Sequence, residues 1–326
     1  MSPDSPAFLA LVQQTARTFG VDAVSVALVS HSENLVYRVQ TDRDQTFALR
    51  LHRPGYHSLA ELEAEQQWTA ALNDAGISVP VGEPTVVGHY YKPVVLPTGE
   101  ERFAGLVGWR SGVPLFKVLA DNPGLEQVTA CYSAIGKLTG RLHNQAANWQ
   151  VPANFQRHSL DADGLMGETP FWGPFWDLPE YDRQTSAEMR EARRVLHHAL
   201  SRLDKNPAHY SMIHADLHGS NLLVDGDAIT VIDFDDAGFG WHVYDMAVSL
   251  FAVGDHPQAA EIRAAWVAGY RTVRELPDAH LELYSLFRLV RGLASLGWAH
   301  HRREVDRREA IAWTLAVVQS LLPDFI

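Results

Sequence analysis

The chain has one cysteine, Cys131, so it can form no disulfide within itself, and a four-cysteine zinc site is excluded. That usage fits a reducing, cytoplasmic setting. Lysine is also scarce: Lys92, Lys117, Lys137 and Lys205 are all there are. Positive charge as a whole is outweighed, with 27 Lys and Arg against 39 Asp and Glu, and the formal charge of -12 repels phosphate backbones and anionic lipid. Neither nucleic acid nor a membrane is expected as a partner. Long apolar runs are missing too: the longest, around Met246 to Val253, falls far short of the roughly 20 residues needed to span a bilayer. Met1 to Gly20 is amphipathic, interrupted by Gln13, Gln14 and Arg17, and has no basic stretch before an apolar run, so it does not read as a signal peptide. Two phosphate-binding signatures are absent. Gly136-Lys137 runs into Leu138 and has no upstream glycine, and no G-x-G-x-x-G follows a strand-like run.

What is present is a chain of 326 residues, 46% hydrophobic, enough for a packed core in one or two lobes. A first helix is expected over about Pro6 to Phe19. Three short β-rich runs follow, Val24 to Val29, Leu35 to Gln40 and Thr46 to His52, and read as an antiparallel meander. Ser58 precedes a helical pattern with Leu59, Leu62, Trp68 and Leu72, stopped by Gly76. Strand-like runs recur at Thr85 to His89, Pro93 to Pro97 and Arg102 to Gly108. Beyond "WRSGVPL" the texture turns helical: Glu126 to Ala146, Ser186 to Leu203, Val243 to Phe251, Pro257 to Arg274, Ala279 to Arg302 and Arg307 to Leu321, with one small hairpin among them. Strands first and helices later predict an α+β protein of two lobes, 1–108 and 109–326, with a hinge at Trp109 to Pro114 and a cleft beside it.

That hairpin lies in "IHADLHGSNLLVDGDAITVIDFDDAG", Ile213 to Gly238. His214 and Asp216 alternate with apolar residues, "HGSN" turns the chain, and "DGD" joins two strands. Hairpin geometry is expected to bring Asn221 close to Asp233, with Asp216 at the mouth of the loop. An amide oxygen plus a carboxylate are hard ligands suited to Mg2+, and a second carboxylate nearby can orient a hydroxyl and accept its proton. Capping residues on a polar hairpin would be the ordinary alternative. Transition-metal ligation by His214, Asp216 and His218 would need further metallophosphoesterase segments, of which only Gly226-Asp227 and Gly254-Asp255-His256 appear.

"HADLHGSN" followed by "VIDFDDAG" resembles the H-x-D-x-x-x-x-N and I-D-[FW] motifs of the aminoglycoside/choline/homoserine phosphotransferase superfamily, which has a protein-kinase-like fold. The resemblance implies an N-terminal antiparallel sheet with one inserted helix and a larger, mainly helical C-terminal lobe. By position, Asp216 is implied as the catalytic base, Asn221 and Asp233 as Mg2+ ligands, His214 as support for the loop and Asp245 as an acid bracing it. A charge at a helix N-terminus is the plainer reading of Asp245.

On the nucleotide side, the resemblance implies a phosphate loop between the first two strands, a basic residue on the third and an acid on the inserted helix. The first turn, "SHSENL", lacks glycines, and Ser30, Ser32 and amides near Glu33 and Asn34 are its candidate donors. Arg50 stands where the family usually has lysine; a guanidinium keeps the charge and adds a planar fork. Glu65 matches the acid, with Glu61 as fallback, and the adenine of ATP is expected against backbone near Leu106 to Trp109, including Val107 and Trp109.

Only about ten residues separate Asp233 from the next expected helix, too few for the long segment with which protein kinases shape a peptide site. A small-molecule alcohol is therefore the expected acceptor: an amino alcohol, aminoglycoside or sugar-like compound. Its candidate walls are Asp235, Asp236, the aromatic segment around Trp172 and the helix bearing Arg288 and Arg291. The aromatics Phe171, Trp172, Phe175 and Trp176 fit either stacking on a ligand or pinning an irregular segment, and the two arginines fit either a carboxylate or helix-helix ion pairs. Two other functions stay open: a bacterial stress-response type protein serine/threonine kinase, which shares an I-H-x-D…D-x-D-D-A pattern, and a nucleotide-binding regulatory pseudokinase.

Overall fold

The computed structural model describes residues 1–31, 34–121, 123–226, 228–300 and 308–326. The chain divides into two compact units, each with its own core. The first is Met1–Gly112 with Val151–Gln156 and Thr230–Asp235. It opens with helix α1 (Pro6–Thr18), started by a proline whose missing N–H costs nothing at that position. Strands β1 (Ala23–His31), β2 (Leu35–Thr41) and β3 (Thr46–Leu51) form the expected meander. Helix α2 (Leu59–Asp74) begins with a capping box in which Ser58 and Glu61 satisfy each other's backbone amides. Strands β4 (Gly82–Glu83), β5 (Tyr91–Val95) and β6 (Glu101–Gly108) complete an antiparallel sheet of order β1-β2-β3-β6-β4, with β5 also on β6.

Period-two alternation decides what this sheet buries: Leu35, Tyr37 and Val39 of β2 point inward with Leu49 and Leu51 of β3. They pack against Phe8, Val12 and Ala16 of α1, each such large side chain contributing about 1.5–3 kcal/mol. The expected strand at Thr85–His89 is not formed. Its backbone closes on itself instead, with Thr85 N–H donating to His89 O and Gly88 N–H to Thr85 O. Val86 and Val87 are left exposed, because β-branched residues make a strand only where a partner edge exists.

The second unit is Val113–Gln150, Arg157–Ile229 and Asp236–Ile326. In order it has β7 (Val113–Pro114), α3 (Leu115–Ala120), α4 (Leu125–Asn148), β8 (Ser159–Leu160), α5 (Ala162–Met166) and α6 (Arg183–Ser201). Then come β9 (Tyr210–Ile213), β10 (Leu222–Asp225), β11 (Ala228–Val231), which carries the chain into the first unit, and β12 (Gly238–Trp241). It ends with α7 (His242–Leu250), α8 (Ala259–Arg271), α9 (Asp278–Leu281), α10 (Tyr284–His300) and α11 (Arg308–Leu321). The hairpin expected alone among helices is therefore accompanied by a second small sheet, in which β12 runs antiparallel to β9 and parallel to β8. The single helix expected over Ala279 to Arg302 is two helices, broken at Glu282 and Leu283. Helices α4 and α8 approach closely at glycines: a Cβ on Gly136 would lie 2.0 Å from Trp266 O, and one on Gly269 would lie 1.9 Å from Ser133 O. Among the described residues, no helix is long and apolar enough to cross a membrane.

Candidate active site

The pairing of β9 with β12 sets Ile213 opposite Gly238, so the loop beginning at His214 and the residue Asp236 leave neighbouring strand ends. The loop turns through Ala215 at φ 66°, a left-handed conformation that a residue with a side chain adopts only when held there. Asp245, fully buried on α7, holds it. Its carboxylate accepts from Ala215 N–H at 2.7 Å and from His214 N–H at 3.1 Å, and His143 Nε2 lies 3.1 Å from it. His143 Nδ1 is in turn 2.9 Å from the Tyr270 hydroxyl. The buried His214 ring accepts from Asp216 N–H through Nδ1 at 3.2 Å, closing the turn.

Asp216 meets three donors. Arg291 Nη2 is 2.9 Å from Oδ1, Asn221 Nδ2 is 2.8 Å from Oδ2, and His218 Nε2 is 3.1 Å from Oδ2. His218 Nδ1 accepts from Ser220 N–H at 3.2 Å, so the ring proton sits on Nε2 and points at Asp216. Burial alone would raise the Asp216 carboxyl, but His218 and Arg291 outweigh it and hold the group well below the usual carboxylate range. Asn221 directs its Nδ2 to Asp216, which leaves the amide oxygen for another partner. Asp216, His218 and Arg291 line a cavity of about 400 Å³ together with Trp172, Asp236, Ser295, Trp298 and Thr314.

Asp233 belongs to the first unit and also turns at positive φ, 66°. The following Phe234 is buried edge-on against Trp68 of α2, with ring centroids 5.5 Å apart. Arg50 of β3 hydrogen-bonds Asp233 through Nη2 and sets Nη1 3.6 Å from Asp235 Oδ1. Burial opposes the guanidinium charge, but Asp233, Asp235 and Glu65 keep it protonated throughout. Glu65, on α2 and nearly buried, acts on Arg50 through its charge.

The structure separates residues that the sequence grouped. Of the four acceptor candidates, Asp236 and Trp172 line the cavity, whereas Asp235 and Arg288 do not. Asp235 is buried in the first unit beside Arg50, His52, His57 and Asn34. Arg288 packs against Gly254 and pairs with Asp255. Of the aromatic cluster only Trp172 reaches the cavity, stacked on Tyr244 at 6.1 Å, while Phe175 and Trp176 are buried. On the adenine side, Val107 lies between β3 and β4 partners, and Trp109 N–H already donates to Thr46 O at 3.0 Å, so that amide is not available to a base. Ser32 lies outside the described residues. Trp298 and Thr314 were missed in the sequence; the signal for Trp298 was its seven-residue spacing from Arg291, which puts both on one face of α10.

Residues 25–283 match the APH family, the phosphotransferase enzyme family. A solved microcompartment-associated aminopropanol kinase is similar over 96% of this chain and 95% of that chain, with 32% identity and a TM-score of 0.80. Amicoumacin kinase of Bacillus subtilis (strain 168) is 26% identical over 313 residues, 91% of this chain and 86% of that protein. Amicoumacin kinase hAmiN, solved with AMP-PNP, Ca2+ and Ami, shares the fold at a TM-score of 0.78 over 97% of this chain and 93% of that chain, with 20% identity. The chain belongs to this phosphotransferase family and is an ATP-dependent phosphotransferase with a two-lobed, protein-kinase-like fold.

Proposed function

We propose that the protein phosphorylates the hydroxyl of a small amino alcohol at the expense of Mg·ATP. The observation that carries this reading is the 400 Å³ cavity, which sets the Asp216 carboxylate beside a second acid, Asp236, and two indoles, Trp172 and Trp298. Such a volume is near the lower end for small-molecule sites and suits a compact acceptor. Asp216 and Asp236 give the lining two carboxylates that can meet a cation, and indole faces attract ammonium groups. The similarity to an aminopropanol kinase supports the same class.

In this reading Asp216 accepts a hydrogen bond from the acceptor hydroxyl and aims its oxygen at the γ-phosphorus. As the new P–O bond forms, the bond to the β-phosphate oxygen breaks, ADP leaves, and the hydroxyl proton passes to Asp216 and on to solvent. Arg291 and His218 fix the carboxylate, and Asp236 holds the ammonium. Arg50 contacts the phosphates, with Glu65 favouring its charge. Asn221 carries an amide oxygen and Asp233 a carboxylate, the hard donor types that Mg2+ takes alongside phosphate, and these residues would hold it. When bound there it would neutralise charge on the phosphates.

The chain from Asp233 reaches α7 at His242 by way of β12, which leaves no platform for a polypeptide and disfavours a protein acceptor. A purely binding role gives no reason for the three donors gathered on Asp216. The test is an acceptor screen pairing short amino alcohols with alcohols of the same shape that lack the amine, alongside aminoglycosides, sugars and a serine/threonine protein mixture. The amine is expected to raise kcat/KM about 10- to 100-fold, and Asp236→Asn to erase that preference. Asp216→Asn should abolish transfer while calorimetry still detects nucleotide. Full turnover in that variant would remove Asp216 from the mechanism, and ATP binding with no turnover on any acceptor would point to a regulator.

A further inference from the structure

We propose that Asp235 is a positioning residue for Arg50, fixing the phosphate-binding cation and tying it to Asn34, just ahead of β2. This rests on the reading that Arg50 contacts the nucleotide phosphates. The guanidinium lies between two carboxylates, with Nη2 on Asp233 and Nη1 3.6 Å from Asp235 Oδ1. A planar fork held on two sides keeps one orientation, which a fork held on one side does not. Asp233 alone cannot supply that constraint, because the same carboxylate is a proposed metal ligand.

Asp235 is itself immobilised from several directions. Asn34, the residue before β2, donates Nδ2 to its Oδ2 at 3.2 Å, and Asn34 Oδ1 accepts from Arg53 N–H at 2.9 Å. His57 Nε2 donates to the Asp235 carbonyl at 2.7 Å, and His52 Nδ1 stands 3.8 Å from Oδ1. The preceding Phe234 is anchored on Trp68. The residue is only 8% exposed, so the position of its carboxylate is set by these partners and not by solvent. The result is a continuous path from Asn34 through Asp235 to Arg50, all within the first unit.

The experiment is a double-mutant cycle read by calorimetric titration of ADP with Mg2+ present and no acceptor, so that Asp233 is engaged as the argument requires and no turnover enters. Arg50→Gln is expected to weaken ADP about tenfold and Asp235→Asn about fivefold, whereas adding Asp235→Asn to the Arg50→Gln protein should change affinity less than about twofold. Asn34→Ala leaves the carboxylate in place and loosens it. It should weaken ADP in the same sense, again only when Arg50 is present, and it serves if circular dichroism shows Asp235→Asn unfolded. An equal loss from Asp235→Asn in both backgrounds would overturn the proposal, as would tighter ADP binding, which would make Asp235 a bare negative charge. If Arg50→Gln alone leaves ADP affinity unchanged, the reading of Arg50 falls and the proposal falls with it, an outcome visible before the cycle is closed.

Discussion

Asp216 has three side-chain donors in place before any acceptor arrives, and this bears on how it works. Against the effect of burial, His218 and Arg291 keep the carboxyl ionised across the neutral range. In the proposed mechanism a base so weak orients the hydroxyl and takes its proton late, once the P–O bond has largely formed. Arg291→Met should therefore lower kcat about a hundredfold through misplacement of the carboxylate, with KM for ATP little changed. It should also move the acidic limb of kcat to higher pH, because a carboxyl depressed by a neighbouring cation titrates higher once that cation is gone. Steady-state rates over a pH series measure both, and an unmoved limb would uncouple Arg291 from Asp216. Asp245 predicts a different loss. Asp245→Ala leaves the amides of His214 and Ala215 buried without their acceptor, at about 1–3 kcal/mol each, so denaturant unfolding should show a loss of about 3–5 kcal/mol together with activity. The loop residues were legible because a motif fixes their spacing. Arg291 lies 75 residues beyond Asp216, and only folding brings the two together.

Between elements, α4 and α8 approach closely at their glycines. In an exposed helix, replacing glycine by alanine stabilises by up to about 1 kcal/mol. At Gly269 the added Cβ would stand 1.9 Å from the Ser133 carbonyl oxygen, a backbone atom that cannot turn aside. The helices must then separate, so Gly269→Ala should destabilise by about 1–3 kcal/mol, reversing the sign that propensity gives. Thermal melts of Gly269→Ala beside the wild type read this, and a raised Tm would show that the crossing is looser than it stands. Elements were readable in the sequence wherever one face is buried and the pattern is local. The strands β1, β2 and β3 and the helix α2 fall within a residue or two of expectation, since alternation and the Ser58 cap mark them directly. What failed was what depends on a distant partner. Thr85–His89 has strand-forming residues but no edge to pair with, and β12 is built around glycines and is a strand only because β9 and β8 flank it. The break between α9 and α10 has no glycine or proline to announce it.

At the scale of the molecule, the buried histidines of the second unit link its stability to pH. His143 and His242 stack with centroids 4.1 Å apart, and both are buried. Around them stand Tyr270 and Asp245 at His143, Ser211 at His242, and the charges or rings of Arg274, His209 and His280. Burial lowers the pKa of both rings from the ordinary 6.5; Asp245 partly offsets this at His143, while His143 and Arg274 push His242 lower still. The folded protein keeps these rings neutral at a pH where the unfolded chain protonates them. The unfolded state then binds more protons, and stability falls as pH drops. Their contribution is complete above the ordinary imidazole value and is lost as the pH drops from there toward the depressed folded values. The steepest slope is about 1.4 kcal/mol per pH unit for each such proton. The same hydrogen bonds run from His143 through Asp245 to the backbone at His214 and Ala215, so acid that charges this pair should loosen the loop carrying Asp216. His242→Gln removes one of the two rings and relieves the other of its stacked neighbour. Unfolding by denaturant at a series of pH values from about 8 to about 5.5 should therefore show a shallower loss for His242→Gln than for the wild type, by up to about 1.4 kcal/mol per pH unit, even though the variant starts less stable. Parallel slopes would mean that the two rings titrate in the folded protein as they do in the unfolded chain.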